Sequence, residues 1–273
     1  MPFMKIKILF IIMLLFGVSA NASQFIPEPR EKPNYEDFAN WLAGFRVQAI
    51  SYGISDELMA RVLNWQKPDG EVIRLDNKQY KSDMTLEEYL SKVIDQNKIN
   101  KGRKFLRQNK ALLEDVYRQS GVEPEFVVAL WGLESDYGNN MGNFSVINSL
   151  ATLAYEGRRR EFFEKELLNA LVILQQGHIS MEEMQGSWAG AMGQCQFMPS
   201  SFFNYAVDYN GDGKVNIWSD REDVFASIAN YLKTVGWDST KERRTETLMH
   251  WNKSSFFVAS VFKLAGEIKD EDL

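Results

Sequence analysis

Glu134 is the residue in this chain best placed to move a proton. It stands near the end of a run, Pro124-Glu125-Phe126-Val127-Val128-Ala129-Leu130-Trp131-Gly132-Leu133-Glu134-Ser135-Asp136-Tyr137-Gly138, that predicts a helix opened by Pro124 and stopped by Gly138. Phe126, Leu130, Leu133 and Tyr137 fall on one face at helical spacing, and Glu134 lies at the edge of that face. Partial burial there disfavours the charged carboxylate, and the negative end of the helix dipole acts in the same direction. A carboxyl shifted in this way keeps its proton near neutral pH, as a general acid must. Any one glutamate is more often a solvated surface residue, so the surrounding pattern has to decide. Asp136 is the obvious second carboxylate, but two residues along a helix it points to a different side.

A second segment, Gly186-Ser187-Trp188-Ala189-Gly190-Ala191-Met192-Gly193-Gln194-Cys195-Gln196-Phe197-Met198-Pro199, is too rich in glycine for a good helix. Glycines let a backbone pass close to a ligand, and Ser187, Gln194 and Gln196 supply hydroxyl and amide groups of the kind that read sugar hydroxyls and acetamido groups. Neither a GxGxxG pattern nor a phosphate-loop lysine accompanies it. Tyr137, Trp188, Phe197 and Tyr231 are aromatic candidates for sugar stacking, with core packing as the commoner fate of each. A third segment, Asp208-Tyr209-Asn210-Gly211-Asp212-Gly213-Lys214, fits the first half of an EF-hand loop: Asp208, Asn210, Asp212 and Lys214 take positions one, three, five and seven, and Gly213 takes position six. Position twelve is Ser219 instead of glutamate. A structural calcium ion, sodium and a metal-free polar turn are the open readings.

Other chemistry has little to stand on. His178 and His250 are the two histidines and neither sits in an HExxH pattern. Cys195 is the single cysteine, so no intrachain disulfide can form, and its neighbours offer no activating base; it reads as a small buried filler.

The elements that must hold these residues read as helices. Apolar residues recur at helical intervals from Tyr35 to Trp65, with Gly53 dividing them into two stretches. Pro68-Asp69-Gly70 breaks the pattern. Thr85 and Glu88 form a capping box, and one long charged helix is expected from about Asn100 to Gln119. Strand signals are sparse, which makes the class mainly α. The chain has 273 residues, 45% of them hydrophobic, enough to bury a sizeable core. Its net charge of −6 and pI near 5.2 leave no basic footprint for nucleic acid.

Residues 1–22 read as a signal peptide: Lys5 and Lys7, an apolar run from Ile8 to Val18, and a small-residue site at Ala20-Asn21-Ala22. The run falls short of the roughly 20 residues a membrane span needs, so the expectation is an exported, periplasmic, soluble protein without stable membrane insertion. Residues 23–34, with Pro27, Pro29 and Pro33, read as an extended leader. An N-terminal helical lobe is expected over 35–120 and a catalytic core with a C-terminal helix over 121–273.

Several motifs in one order resemble the lytic murein transglycosylase B family: Glu134-Ser135-Asp136-Tyr137-Gly138; Leu150-Ala151-Thr152-Leu153-Ala154-Tyr155 with Arg158-Arg159 and Glu161-Phe162-Phe163; Gly186 to Gly193 with Gln196-Phe197-Met198-Pro199-Ser200-Ser201; and Ala229-Asn230-Tyr231-Leu232 with Gly236-Trp237. The resemblance implies a lysozyme-like helical fold that acts on peptidoglycan glycan strands. Glu134 would be the sole catalytic carboxylate. It would protonate the bond between N-acetylmuramic acid and N-acetylglucosamine, then take a proton from the muramic 6-hydroxyl as a 1,6-anhydro ring closes. A hydroxyl held beside the anomeric carbon has a large effective molarity and can replace a second carboxylate or water. No cofactor is required for that chemistry. The residues matching Ser187, Gln196, Tyr231 and Asn252 would bind glycan, and Asp223 would close a lengthened calcium loop. Two departures stand out: thirteen residues, Asp238 to His250, separate Trp237 from Trp251 where the family carries a β subdomain, and Trp251 stands where the family often has tyrosine. The rival readings are a lysozyme-type muramidase, in which water completes the reaction, and a non-catalytic cell-wall-binding scaffold.

Overall fold

The first two helices follow the apolar spacing. Helix α1 (Tyr35–Ser51) ends just before Gly53, whose left-handed backbone (φ 91°) turns the chain into α2 (Asp56–Leu63). This computed structural model describes residues 35–63, 67–78 and 84–269; the expected signal peptide and leader lie outside the described residues. After the break at Pro68, Asp69 does more than end a helix. Its carboxylate accepts from the backbone of Glu71 and Val72 and so caps α3 (Gly70–Lys78), an element the turn signal alone did not predict. The capping box is present at α4 (Leu86–Val93): the Thr85 hydroxyl accepts from the Glu88 backbone, and the Glu88 carboxylate accepts from the Thr85 backbone.

The single long helix expected from Asn100 to Gln119 is two helices, α5 (Gln96–Gln108) and α6 (Lys110–Ser120). Asn109 divides them. Its backbone leaves the helical region (φ −114°, ψ 20°) while its side-chain amide donates to the Phe105 carbonyl at 2.7 Å, a second bond to the oxygen that its own backbone N–H already reaches. A left-handed Gly121 then ends α6.

Helix α7 (Pro124–Ser135) is the centre of the molecule, and every residue from Phe126 to Ser135 is buried. The amphipathic face expected of it is therefore wrong: a helix apolar all round is walled in on all sides, here by α5, α6, α11 (Arg221–Thr234) and α13 (Ser255–Ile268). Its end also comes earlier than Gly138. Asp136 and Tyr137 both take left-handed backbone (φ 48° and 60°), which turns the chain sharply out of the helix. The Tyr137 ring folds back over Gly132, where a side chain would collide with it, and its hydroxyl donates to the Lys98 carbonyl at 2.8 Å.

The remaining helices are α8 (Val146–Glu156) and α9 (Arg160–Gln175), which pack together, α10 (Pro199–Tyr205) and α12 (Lys241–Trp251). Strand β1 (Phe144–Ser145) pairs antiparallel with β2 (Gln185–Gly186), so the described residues are mainly α, as expected. The stretch between Trp237 and Trp251 is a short loop followed by α12, with no strand in it. One hydrophobic cluster extends from Phe38 to Ile268. Arg158 and Arg159 both pair with buried Asp76, which fixes α3 to the loop between α8 and α9. No described helix is long and apolar enough to cross a membrane.

Candidate active site

Glu134 occupies the last turn of α7 and is 7% exposed. Burial is the main influence on its carboxyl and pushes its pKa up to about 7. One contact works against that rise: the indole N–H of Trp251 donates to Oε1 at 2.7 Å and favours the charged form. Among the described residues no other hydrogen bond to this carboxyl is formed, so Oε2 has no protein partner.

Trp251 is the last residue of α12. Asn252 ends the helix in an extended conformation, and its side-chain oxygen accepts from the Ser254 backbone at 3.0 Å. Ser254 in turn caps α13, and α13 packs on α7. That chain of caps delivers an indole from the C-terminal end of the sequence to the last turn of α7. The Trp251 ring packs in a cluster with Tyr231, at 4.5 Å between ring centres, and Phe197, at 5.4 Å. Tyr231 also packs on Tyr205 and directs its hydroxyl to His250 Nδ1 at 2.9 Å. His250 thus packs beside Tyr231, outside any catalytic pairing.

The charge of Glu134 is felt at Tyr231, Tyr89 and Cys195, whose hydroxyl or thiol pKa values all rise, in each case mainly through burial. Tyr89, on α4, packs on Phe256. The indole contact of Trp251 is not visible in local sequence pattern, because it is brought to Glu134 from another helix. Asp136, the rival carboxylate, is paired with Lys98 at 3.4 Å and Lys101 at 3.0 Å.

The glycine-rich segment leaves no helix in front of the site. Gly186 and Gly142 are the points of closest approach: a side chain on Gly142 would strike the Gly186 carbonyl, and one on Gly186 the Ala191 carbonyl. The Ser187 hydroxyl oxygen accepts from Ala191 N at 3.0 Å, which keeps its hydrogen free to donate outward. Gln196 has left-handed backbone (φ 50°), an uncommon state for a residue with a side chain and one that marks sites where geometry is imposed by function. Its amide nitrogen donates to the carbonyls of Met141 and Gly193. Gln194, a sugar-reading candidate in the sequence, is instead buried. It accepts from Trp131 Nε1 at 2.7 Å and donates to the Trp218 carbonyl at 2.8 Å, tying α7 to the loop that contains Trp218. Tyr137, Trp188, Phe197 and Tyr231 are likewise buried, as packing residues are.

In the EF-hand-like loop, the Asp208 carboxylate accepts from the backbone of Gly211, Asp212 and Gly213. Asn210 and Asp212 cap Asp212 and Lys214. Asp223 accepts from the backbone of Tyr209 and Asn216 at 2.7 Å each, so it bonds to both arms of the loop. Burial raises its pKa, and the nearby charges of Asp220 and Asp208 raise it further. The all-oxygen donor set suits a hard cation, although among the described residues no group of three or more His, Cys, Asp or Glu is gathered closely enough to hold a metal ion.

The family described as transglycosylase SLT domain matches residues 37–246. The membrane-bound lytic murein transglycosylase B of Escherichia coli K12 is 39% identical over 150 residues, a stretch covering 55% of this chain and 41% of that protein. The chain thus spans less than half the length of that curated relative. SltB3 of Pseudomonas aeruginosa, solved in complex with NAG-anhNAM-pentapeptide, superposes with a TM-score of 0.81 at 33% identity, covering 85% of this chain and 79% of that one. The Escherichia coli lytic transglycosylase Slt35, solved in complex with calcium, shares the fold at a TM-score of 0.75 and 24% identity, over 86% of this chain and 93% of that one.

Proposed function

Because this chain belongs to the transglycosylase SLT domain family, we propose that it is a lytic transglycosylase that cleaves the MurNAc–GlcNAc bond of peptidoglycan glycan strands and leaves 1,6-anhydro-MurNAc ends. The observation that carries this reading is the state of Glu134: a buried carboxyl with its pKa near 7, one oxygen free, and no other carboxylate influencing its ionisation. Near neutral pH about half of such groups hold a proton, so the residue can donate it and later reclaim one.

The steps balance without outside help. Glu134 gives its proton to the glycosidic oxygen as the bond to the muramic C1 breaks, and the GlcNAc leaves with a free 4-hydroxyl. The muramic 6-hydroxyl then bonds to C1 and returns its proton to Glu134. A two-carboxylate glycosidase needs its second acid about 5–9.5 Å from the first, and Asp136 is committed to two lysines instead. Ser187, Gln196, Tyr231 and Asn252 are the proposed glycan contacts. The Ser187 hydroxyl hydrogen and the Gln196 side-chain oxygen are the groups best left for sugar partners. SltB3, solved with a glycan-pentapeptide bearing an anhydro sugar, supports this choice of substrate.

Digestion of purified sacculi with the wild type and Glu134→Gln, followed by mass spectrometry, tests the reading. Anhydro-ended products from the wild type and none from the variant are expected. Hydrated ends, heavier by one water, would turn the assignment to a lysozyme-type muramidase. Anhydro products from Glu134→Gln would remove Glu134 as the acid.

The proposal extends to a structural calcium ion in the loop, held by the side chains of Asp208, Asn210, Asp212 and Asp223 with the Lys214 backbone carbonyl. A carboxylate oxygen has lone pairs for both an amide and a cation, and a cation would relieve the mutual repulsion of Asp208, Asp220 and Asp223. The ion would stiffen the loop and supply no chemistry. Export to the periplasm, proposed from residues 1–22, places the enzyme with its polymer.

A further inference from the structure

The two proton transfers assigned to Glu134 demand opposite things of one carboxyl, and Trp251 is in direct contact with it. An indole N–H is a donor only; it has no lone pair with which to accept. Its 2.7 Å bond to Oε1 therefore has one polarity whatever the state of the glutamate. When Glu134 is neutral, its carbonyl-type oxygen accepts far better than its hydroxyl oxygen, so Oε1 is the carbonyl and the proton resides on Oε2. When Glu134 is ionised, the same bond becomes charge-assisted and stronger, and Oε1 stays engaged. Oε2 is the oxygen without a protein partner in either state.

We propose that Trp251 is a positioning residue that confines both proton transfers of Glu134 to a single oxygen, Oε2, and keeps that oxygen facing the substrate through the whole cycle. This rests on the transglycosylase reading, since only there must the same carboxyl give a proton to the leaving oxygen and take one from a hydroxyl of the same sugar. Atom by atom, the Oε2–H bond breaks as the leaving GlcNAc oxygen is protonated, and an Oε2–H bond forms again as the muramic O6 loses its hydrogen. The indole hydrogen never leaves its nitrogen.

Geometry makes the restraint firm. The indole packs against both Tyr231 and Phe197, which also touch each other, and it stands at the capped end of α12, so the ring is anchored on one side while its N–H is fixed on Oε1. A tyrosine in its place would carry a hydroxyl that can rotate and accept as well as donate. It would let the glutamate carry its proton on either oxygen. The indole also tempers burial, lowering the pKa that burial raises, which eases release of the proton in the first step.

The test uses carbon-13-labelled glutamate and nitrogen-15-labelled indole in the full protein, with Glu134→Gln assigning the Glu134 signal. In the wild type the Trp251 indole proton resonance should be displaced downfield at low pH, and further downfield as Glu134 ionises, through one shared midpoint. In Trp251→Phe the Glu134 midpoint should rise by about one to two pH units. The falling alkaline limb of kcat should move up with it, kcat should drop on the order of tenfold, and KM should stay within about threefold. An indole proton at the free-indole position in either protonation state overturns the proposal, as does an unchanged Glu134 midpoint in Trp251→Phe. If that variant does not fold, the indole titration in the wild type still decides. These resonances are independent of the products, so a finding of hydrated ends would sink the transglycosylase reading while leaving the hydrogen bond separately measured.

Discussion

Replacing Glu134 with glutamine should stabilise this protein at neutral and alkaline pH and leave its stability nearly unchanged in acid. An unfolded glutamate titrates near 4.5, whereas burial lifts Glu134 to about 7. Between those values the folded state binds more protons than the unfolded state, so the contribution of this group to stability falls as pH rises. The loss begins near pH 4.5 and is complete somewhat above 7. At about 1.4 kcal/mol for each tenfold change in proton affinity, it amounts to roughly 3 kcal/mol. Glutamine has the same shape, never ionises, and keeps a carbonyl for the Trp251 indole. The Glu134→Gln variant should thus match the wild type below pH 4.5 and exceed it by roughly 3 kcal/mol at pH 8. For a chain of this size that is on the order of 6–12 °C in melting temperature. Thermal or urea unfolding of both proteins from pH 4 to 8.5 measures the difference, in which the other titrating groups cancel. A difference that is flat across this range, or that favours the wild type as pH rises, would refute the claim that Glu134 ionises at a cost.

Calcium should raise the melting temperature of the wild type, and Asp208→Ala should abolish that increase because Asp208 organises three loop amides and supplies the first proposed ligand; calorimetry with and without calcium decides. Gly142→Ala should destabilise by about 3 kcal/mol or more, since a left-handed backbone and a collision with the Gly186 carbonyl act together. Gly211→Ala, equally left-handed but facing open space, should cost only about 1 kcal/mol; equal losses at the two sites would contradict the close-approach argument. Secreted protein should begin at Ser23, and amino-terminal sequencing that finds Met1 retained would remove the cleaved signal peptide.

What the sequence reveals depends on how local the cause is. The capping box of α4 involves residues three apart and is legible; so is the pause at Gly53. The fully buried α7 is less so. Its apolar residues leave one face identifiable only if another face is polar, and Val127, Val128, Ala129 and Trp131 fill every side. The division of α5 from α6 was carried by Asn109, a residue that bonds readily to its own backbone, yet the charges on either side continue as one pattern. Asp69 had the chemistry of a helix cap but lay inside a Pro-Asp-Gly sequence that also spells a turn. The contact of Glu134 is the least legible, for Trp251 lies 117 residues further along the chain.

The environment of Glu134 is defined as much by the cations held away from it as by the groups that touch it. A buried helix end needs partners for its last carbonyls, and here Gly132 O accepts from the Asp136 backbone at 3.1 Å and from Lys98 Nζ at 2.7 Å, while Ser135 O accepts from Asn140 N at 2.8 Å. A lysine is therefore drawn to the last turn of the helix that carries Glu134, as the helix dipole favours. Were its ammonium to reach Glu134, it would hold the glutamate as a carboxylate and leave nothing to donate. Asp136 engages it instead. Thrown into left-handed backbone just past the helix, it pairs with both Lys98 and Lys101. The carboxylate that stood in the sequence as a rival acid thus balances the positive charge gathered at the end of α7.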